Sequence, residues 1–188
     1  MVTVEHKDQT AFAVWITGLP ASGKSTVTRA LVRQLNERGI HPAVLESDTL
    51  RKIFSTQPSY DEQDREYFYG AIAFIGRVLT EHGIPVIFDA TANLRSYRDR
   101  ARLQIPNFIE VFVDSPLQTC IERDPKHIYK DAAQGRAAHV PGLQVPYEPP
   151  IQPDVVIFGD REDPEDAAKH VITTLNQRHF VAIRGNNL

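Results

Sequence analysis

The stretch Gly18, Leu19, Pro20, Ala21, Ser22, Gly23, Lys24, Ser25 constrains this chain more than any other. It matches the pattern G-x-x-x-x-G-K-[ST] in the setting that pattern needs, an apolar run before it and a helical period after it. Phe12 through Thr17 reads as a buried strand. Val27, Leu31 and Leu35 recur at helical spacing between Thr26 and Arg38, and Gly39 stops the period. Such a loop turns successive backbone N–H groups inward, and the following helix adds the positive end of its dipole, so together they cradle a triphosphate. Lys24 falls against the terminal phosphates, and the Ser25 hydroxyl is the Mg²⁺ ligand. Pro20, Ala21, Ser22, Gly23 and Thr26 complete the expected nucleotide site.

A chain of 188 residues is long enough for one substantial core, and we expect a single domain over residues 1–188. A net charge of −3 argues against wrapping nucleic acid. The single cysteine, Cys120, allows no internal disulfide and no zinc cluster, and its apolar neighbours Leu117 and Ile121 predict a buried, inert thiol. With no long apolar run and no hydrophobic signal core, the expectation is a soluble, cytoplasmic protein without membrane or nucleic-acid partners.

The first ten residues read as a loose polar lead-in, and the tail after Arg178 carries no signal. Between them apolar runs alternate with helical periods. Strands are expected at residues 42–45, 84–88, 108–113 and 154–158. Helices are expected at about 61–82, where Phe68, Ile72, Ile75 and Leu79 should face the sheet, over the arginine-rich stretch from Arg95 to Arg102, and from Asp163 to about Asn176. Ser115, Pro116 and Gln118 suggest a capping box with proline at the first helical position. Residues 123–150 show no long apolar period and read as a mobile flap or lid. The pattern predicts an α/β fold: a five-stranded parallel sheet sandwiched by helices, in the P-loop NTPase layout, with a lid. Neither a D-x-x-G switch nor an N-K-x-D guanine reader occurs, which argues against a GTPase.

Phosphoryl transfer needs cations around the moving group and a carboxylate to orient the acceptor hydroxyl. Asp48 and Asp89 both stand at strand ends on the sheet's carboxyl edge, where open parallel sheets bind ligands. Either is a candidate base or a water-mediated Mg²⁺ holder, and either residue type also serves as a helix cap or a turn. Arg51, one helical turn after Asp48, would face an anionic substrate. Arg65 is another candidate, with a surface pair to Asp64 or Glu66 as its alternative, and Arg95 and Arg98 are the arginines of their helix expected to reach the site. The flap's Arg123, Lys126, Tyr129 and Lys130 suit a lid over phosphates, with Arg123 and Lys126 assigned to the nucleotide and Lys130 to the acceptor.

At these residues the chain resembles the adenylylsulfate (APS) kinases, which phosphorylate the 3′-hydroxyl of APS with ATP in sulfate assimilation. The likeness runs from about Trp15 to the last helix. Residues 122–130, Glu-Arg-Asp-Pro-Lys-His-Ile-Tyr-Lys, look like the family's R-D-P-K-x-[IL]-Y-K, and Pro146-Tyr-Glu-Pro-Pro150 looks like its P-Y-E-x-P. The resemblance implies ATP and Mg²⁺ as cofactors, an anionic nucleotide-like substrate and a possible homodimer. By position it makes Asp48 and Arg51 the Asp and Arg of D-G-D-N-x-R, Arg65 the Arg of D-R-x-x-N, and Thr91, Ala92, Asn93 and Arg95 counterparts of I-S-P-Y-R.

The departures cluster on the acceptor side. Ser47 and Thr49 replace a Gly and an Asn, Phe68 stands where D-R-x-x-N has its Asn, Ala92 replaces a serine, and Val140 replaces a phenylalanine that stacks on the adenine of APS. Asp89-Ala-Thr91 is instead similar to the D-x-T segment of polynucleotide-kinase-like enzymes. The readings that follow are an APS kinase, the same chemistry on another nucleotide-like or phosphorylated metabolite, and a non-catalytic ATP-binding module.

Overall fold

The computed structural model describes residues 11–55 and 58–181. The lead-in expected over the first ten residues, and the tail beyond residue 181, lie outside the described residues. The elements are β1 (Ala13–Thr17), α1 (Lys24–Glu37), β2 (Ala43–Glu46), α2 (Ser47–Phe54), α3 (Glu62–Glu81), β3 (Val86–Asp89), α4 (Arg95–Gln104), β4 (Phe108–Asp114), α5 (Leu117–Arg123), α6 (Ile128–Ala133), β5 (Val155–Phe158) and α7 (Pro164–Gln177). All strand pairs are parallel, and the sheet order is β2-β3-β1-β4-β5. The strand carrying the phosphate loop is therefore central, with β3 on one side and β4 on the other.

Strand alternation splits the core into two layers. Val14 and Ile16 point to the α1 and α7 side, where they meet Leu31, Leu35, Val171 and Leu175. Ala13 and Trp15 point to the α3 and α4 side, with Phe88, Ile72 and Tyr97. Trp15 stacks on Phe88 at 4.4 Å between ring centroids, and its indole N–H donates to the Ala90 carbonyl at 3.1 Å. That bond holds the chain as it leaves β3. Phe68 and Ile72 on α3 are buried against this layer as expected, with Ile75 and Leu79 at its margin.

Two local expectations are corrected. Ser115 does not form a capping box: the N-cap of α5 is Pro116, one residue further on, which has no side-chain acceptor, and the Ser115 hydroxyl instead donates to the Ser22 carbonyl at 3.0 Å. That bond ties the start of α5 to the phosphate loop. The flap is also more structured than its pattern suggests. It contains α6, and Tyr129, Ala132 and Val140 close a small core around Cys120. One helical turn with two buried side chains is too short to register as a period.

Candidate functional site

The site is built on the carboxyl edge of the sheet. Register sets Glu46, Asp89 and Ile16 side by side on β2, β3 and β1, so the chain leaves three neighbouring strands at one level. After β1 it enters the phosphate loop. Gly23 sits at the N-cap of α1 with φ 108°, a conformation that L side chains rarely adopt, which aims the first N–H groups of α1 across the loop. Lys24 folds back over it, its ammonium donating to the carbonyls of Gly18 at 3.1 Å and Leu19 at 2.8 Å. Burial lowers its pKa, and Asp89 and then Asp48 pull it back up.

Asp89 is buried at the end of β3. Burial raises its pKa, opposed first by the Lys24 ammonium and then by a hydrogen bond from Ser25. It caps no helix. Asp48 is a different kind of carboxylate: it lies in the first turn of α2, 51 % exposed, and accepts from the Lys126 ammonium of the flap at 2.5 Å. Glu46, not Asp48, is the N-cap of that helix. The carboxylates that sequence left equivalent are thus distinct, one deep beside Lys24 and Ser25, the other at the open side under the flap.

Both line a single cavity of about 1210 Å³ together with Pro20, Ala21, Gly23, Lys24, Ser25, Thr26, Arg51, Arg65, Thr91, Arg123 and Lys126. Gly18, Leu19 and Ser22 belong to the loop but not to the cavity wall; Leu19 packs against the flap core instead. Ser25 and Asp89 offer few protein ligands, and among the described residues no group of three or more metal-binding side chains occurs. That donor set suits Mg²⁺, which keeps waters and phosphate oxygens in its shell rather than a full protein cage.

On the acceptor side Arg51 is 4 % exposed. Its Nη1 donates to Asp64 at 2.7 Å, and its guanidinium carbon lies 4.0 Å from the centre of the Phe68 ring and 4.8 Å from that of Tyr60. Nη2 has no hydrogen-bond partner among the described residues. Phe68 is therefore a plate under an arginine and does not line the cavity. For Arg65 the alternative of a surface pair is not what forms: it is buried on the cavity wall, and its nitrogens reach Tyr60, Asn93 and His139.

Several other residues stand apart from the cavity. Arg98 was expected to reach the site, but it is 1 % exposed and ion-paired with Glu110 at 2.6 Å; its other nitrogens go to the carbonyls of Ala92, Leu94 and Glu148. Arg95 lies outside the wall, bonded to Glu148 and Pro149. Ala92 is buried at φ 40°, its N–H donating to the Tyr69 hydroxyl. Asn93 is buried, donating to Pro146 at 3.0 Å, and Lys130 is exposed, its backbone N–H on Asp124. Sequence reasoning passed over Tyr69, which lines the cavity, and Tyr147, whose hydroxyl shares a hydrogen bond with Thr17 at 3.1 Å. Tyr147 lies within the P-Y-E-P-P segment, which was the available signal.

The family model described as adenylylsulphate kinase matches residues 10–158. The adenylyl-sulfate kinase of Rippkaea orientalis is 35 % identical over 174 residues, covering 93 % of this chain and 96 % of that protein. The adenylyl-sulfate kinase of Synechococcus sp. (strain JA-3-3Ab) is 41 % identical over 143 residues, 76 % of this chain and 81 % of the relative. Among solved structures, the Mycobacterium tuberculosis APS kinase CysC in complex with AMPPNP and APS superposes with a TM-score of 0.84 at 33 % identity, over 90 % of this chain and 99 % of that one.

Proposed function

The chain belongs to the adenylylsulphate kinase family, and from that premise we propose that it transfers the γ-phosphoryl group of ATP to the 3′-hydroxyl of APS, giving PAPS and ADP. The observation that carries the reading is the continuity of one cavity from Lys24 and Ser25, across Asp89, to Asp48 and Arg51 beneath the flap. A donor and an acceptor nucleotide can lie in it end to end.

On this reading Gly18–Thr26 hold the triphosphate by backbone N–H groups, and Lys24 turns from the loop carbonyls to the phosphates. The Ser25 hydroxyl, with Asp89 beside it, would hold Mg²⁺, which would supply neutralisation of charge on the transferring phosphoryl group. Asp48 orients the acceptor hydroxyl and takes its proton; its exposed position leaves it open to the acceptor, whereas Asp89 is committed to Lys24 and Ser25. Arg51 offers its unpartnered nitrogen to the acceptor's anionic group, and Arg123 and Lys126 close over the phosphates.

The test is a coupled ADP-release assay with and without APS, with PAPS identified in the products. APS-dependent release supports the reading, and silence with APS sinks it. One observation favours a second reading, in which the same chemistry serves another nucleotide-like hydroxyl: the flap presents Val140, packed with Cys120 and Tyr129, where the family resemblance has an adenine-stacking phenylalanine. A panel of nucleotides offered in place of APS separates the two.

A further inference from the structure

The flap is joined to the body of the protein at several points: Arg123 to Gly159, Tyr129 to Pro20, and Pro146 and Glu148 to Asn93. Its tip, residues 134–145, is different. Within the tip, Gly142, Gln144 and Val145 make a compact turn with bonds among themselves and Val140. Among the described residues, one hydrogen bond joins the tip to anything outside the flap: Arg65 Nη2 to the His139 carbonyl at 2.7 Å.

Arg65 is well built to carry that bond. Its Nε donates to the Tyr60 carbonyl at 2.8 Å and its Nη1 to the Asn93 side chain at 3.0 Å, so the guanidinium is oriented from two directions before it meets the flap. Asn93 passes the connection on to Pro146, and its own carbonyl accepts from the Glu148 N–H at 2.7 Å. The planar fork of an arginine can meet three carbonyl-type oxygens on three segments, which a lysine ammonium on a flexible stem does not reproduce. His139 sits at φ 61°, an unfavourable conformation for a non-glycine residue that needs outside contacts to persist. The residue after it is Val140, on the cavity wall.

We propose that Arg65 is a positioning residue that clamps the flap tip at His139 and so sets where Val140 stands over the acceptor side of the cavity. The carbonyl of His139, not only an anion of the substrate, is what this guanidinium recognises. The clamp is independent of which acceptor binds; its consequence for acceptor affinity rests on the kinase reading above.

The test compares wild type with Arg65→Lys and Arg65→Gln by hydrogen exchange of the full chain saturated with ADP and Mg²⁺, without acceptor. Exchange of the amides of residues 142–145 should accelerate roughly ten-fold in both variants, since a charged hydrogen bond to a local opening unit has been lost. The amides of α1 and α7 should keep their rates, which a merely destabilised fold would not do. Trypsin cleavage after the exposed Arg136 should accelerate in parallel. In kinetics, the acceptor KM should rise in Arg65→Lys while the ATP KM stays within about two-fold. Tip exchange within about two-fold of wild type in Arg65→Lys overturns the clamp, whatever the kinetics show. Should Arg65→Gln prove too unstable to measure, Arg65→Lys decides alone. A loosened tip in an enzyme inert towards APS would refute the APS reading and leave the clamp standing.

Discussion

Arg98 is nearly inaccessible, its Nε donates to the Glu110 carboxylate at 2.6 Å, and its remaining nitrogens satisfy the carbonyls of Ala92, Leu94 and Glu148. Arg98→Met keeps much of the apolar stem and removes every one of those bonds. Breaking a buried ion pair by deleting one partner costs about 3–5 kcal/mol, because the other charge is left buried. Here Glu110 retains Arg102 at 3.3 Å, and Arg102 is itself partly exposed, so the lower end applies, about 3 kcal/mol. For a domain of this size that is a fall of roughly 6–12 °C in Tm, given 2–4 °C per kcal/mol.

Urea and thermal unfolding of Arg98→Met measure the loss directly. A second variant tests its cause: Arg98→Met with Glu110→Leu removes the orphaned charge and should melt above the single variant, since an apolar replacement of a whole buried pair is often neutral or better. If Arg98→Met costs less than about 1 kcal/mol, the ion pair is not a structural bolt and the reasoning fails. A normal melt combined with a ten-fold rise in acceptor KM would put the guanidinium in the substrate site after all.

Asp48→Asn should lower kcat by roughly a hundred-fold or more while leaving Tm unchanged, because a general base is lost but its pair with Lys126 is exposed; near-normal turnover would remove Asp48 from the chemistry. Burial pushes the Tyr147 hydroxyl up to about 12 from 10.0, against the pull of Thr17 and Arg98. The unfolded chain loses this proton near pH 10 and the fold keeps it, so stability should decline as pH rises between those values, by up to ~3 kcal/mol. Chemical unfolding at pH 9 and pH 11 should show that slope, and Tyr147→Phe should reduce it, leaving the part due to Tyr129, whose hydroxyl burial also pushes up. Cys120 is buried and its thiol is pushed up by burial, so it should stay unreactive to a thiol-specific disulfide reagent at neutral pH until urea unfolds the chain; rapid labelling of the native protein would contradict its place in the flap core.

Most of the fold was legible because the signals were local. Each strand is an apolar run, and each long helix is a period of apolar residues closed by a polar or glycine stop, so the elements could be placed within a residue or two. The phosphate loop was legible for the same reason, since its chemistry lies in backbone N–H groups and two adjacent side chains. The short helices were harder. In α2 the strand turns into helix at Ser47 with no linker, and α6 buries Tyr129 and Ala132 in one turn, so neither produces a pattern longer than its own noise.

The acceptor half resisted for a different reason: arginine carries no mark of where its charge will be needed. Arg51, Arg65 and Arg98 are alike in sequence, and each is nearly buried, yet they meet an aromatic plate with an aspartate, a set of carbonyl-type oxygens, and a buried glutamate. Deciding partners lie far off in the chain, 12 positions for Glu110 and 74 for His139. What separates them physically is how much donor capacity the fold leaves over. Arg98 and Arg65 direct every nitrogen to a protein oxygen, whereas Arg51 keeps Nη2 without a partner among the described residues. A buried charged donor without a partner costs more than a paired one unless a ligand completes it. On the kinase reading proposed above, that criterion reserves Arg51 for the acceptor, and Phe68, whose ring centre lies 4.0 Å from the guanidinium carbon, keeps the charge aimed by stacking while leaving a nitrogen free.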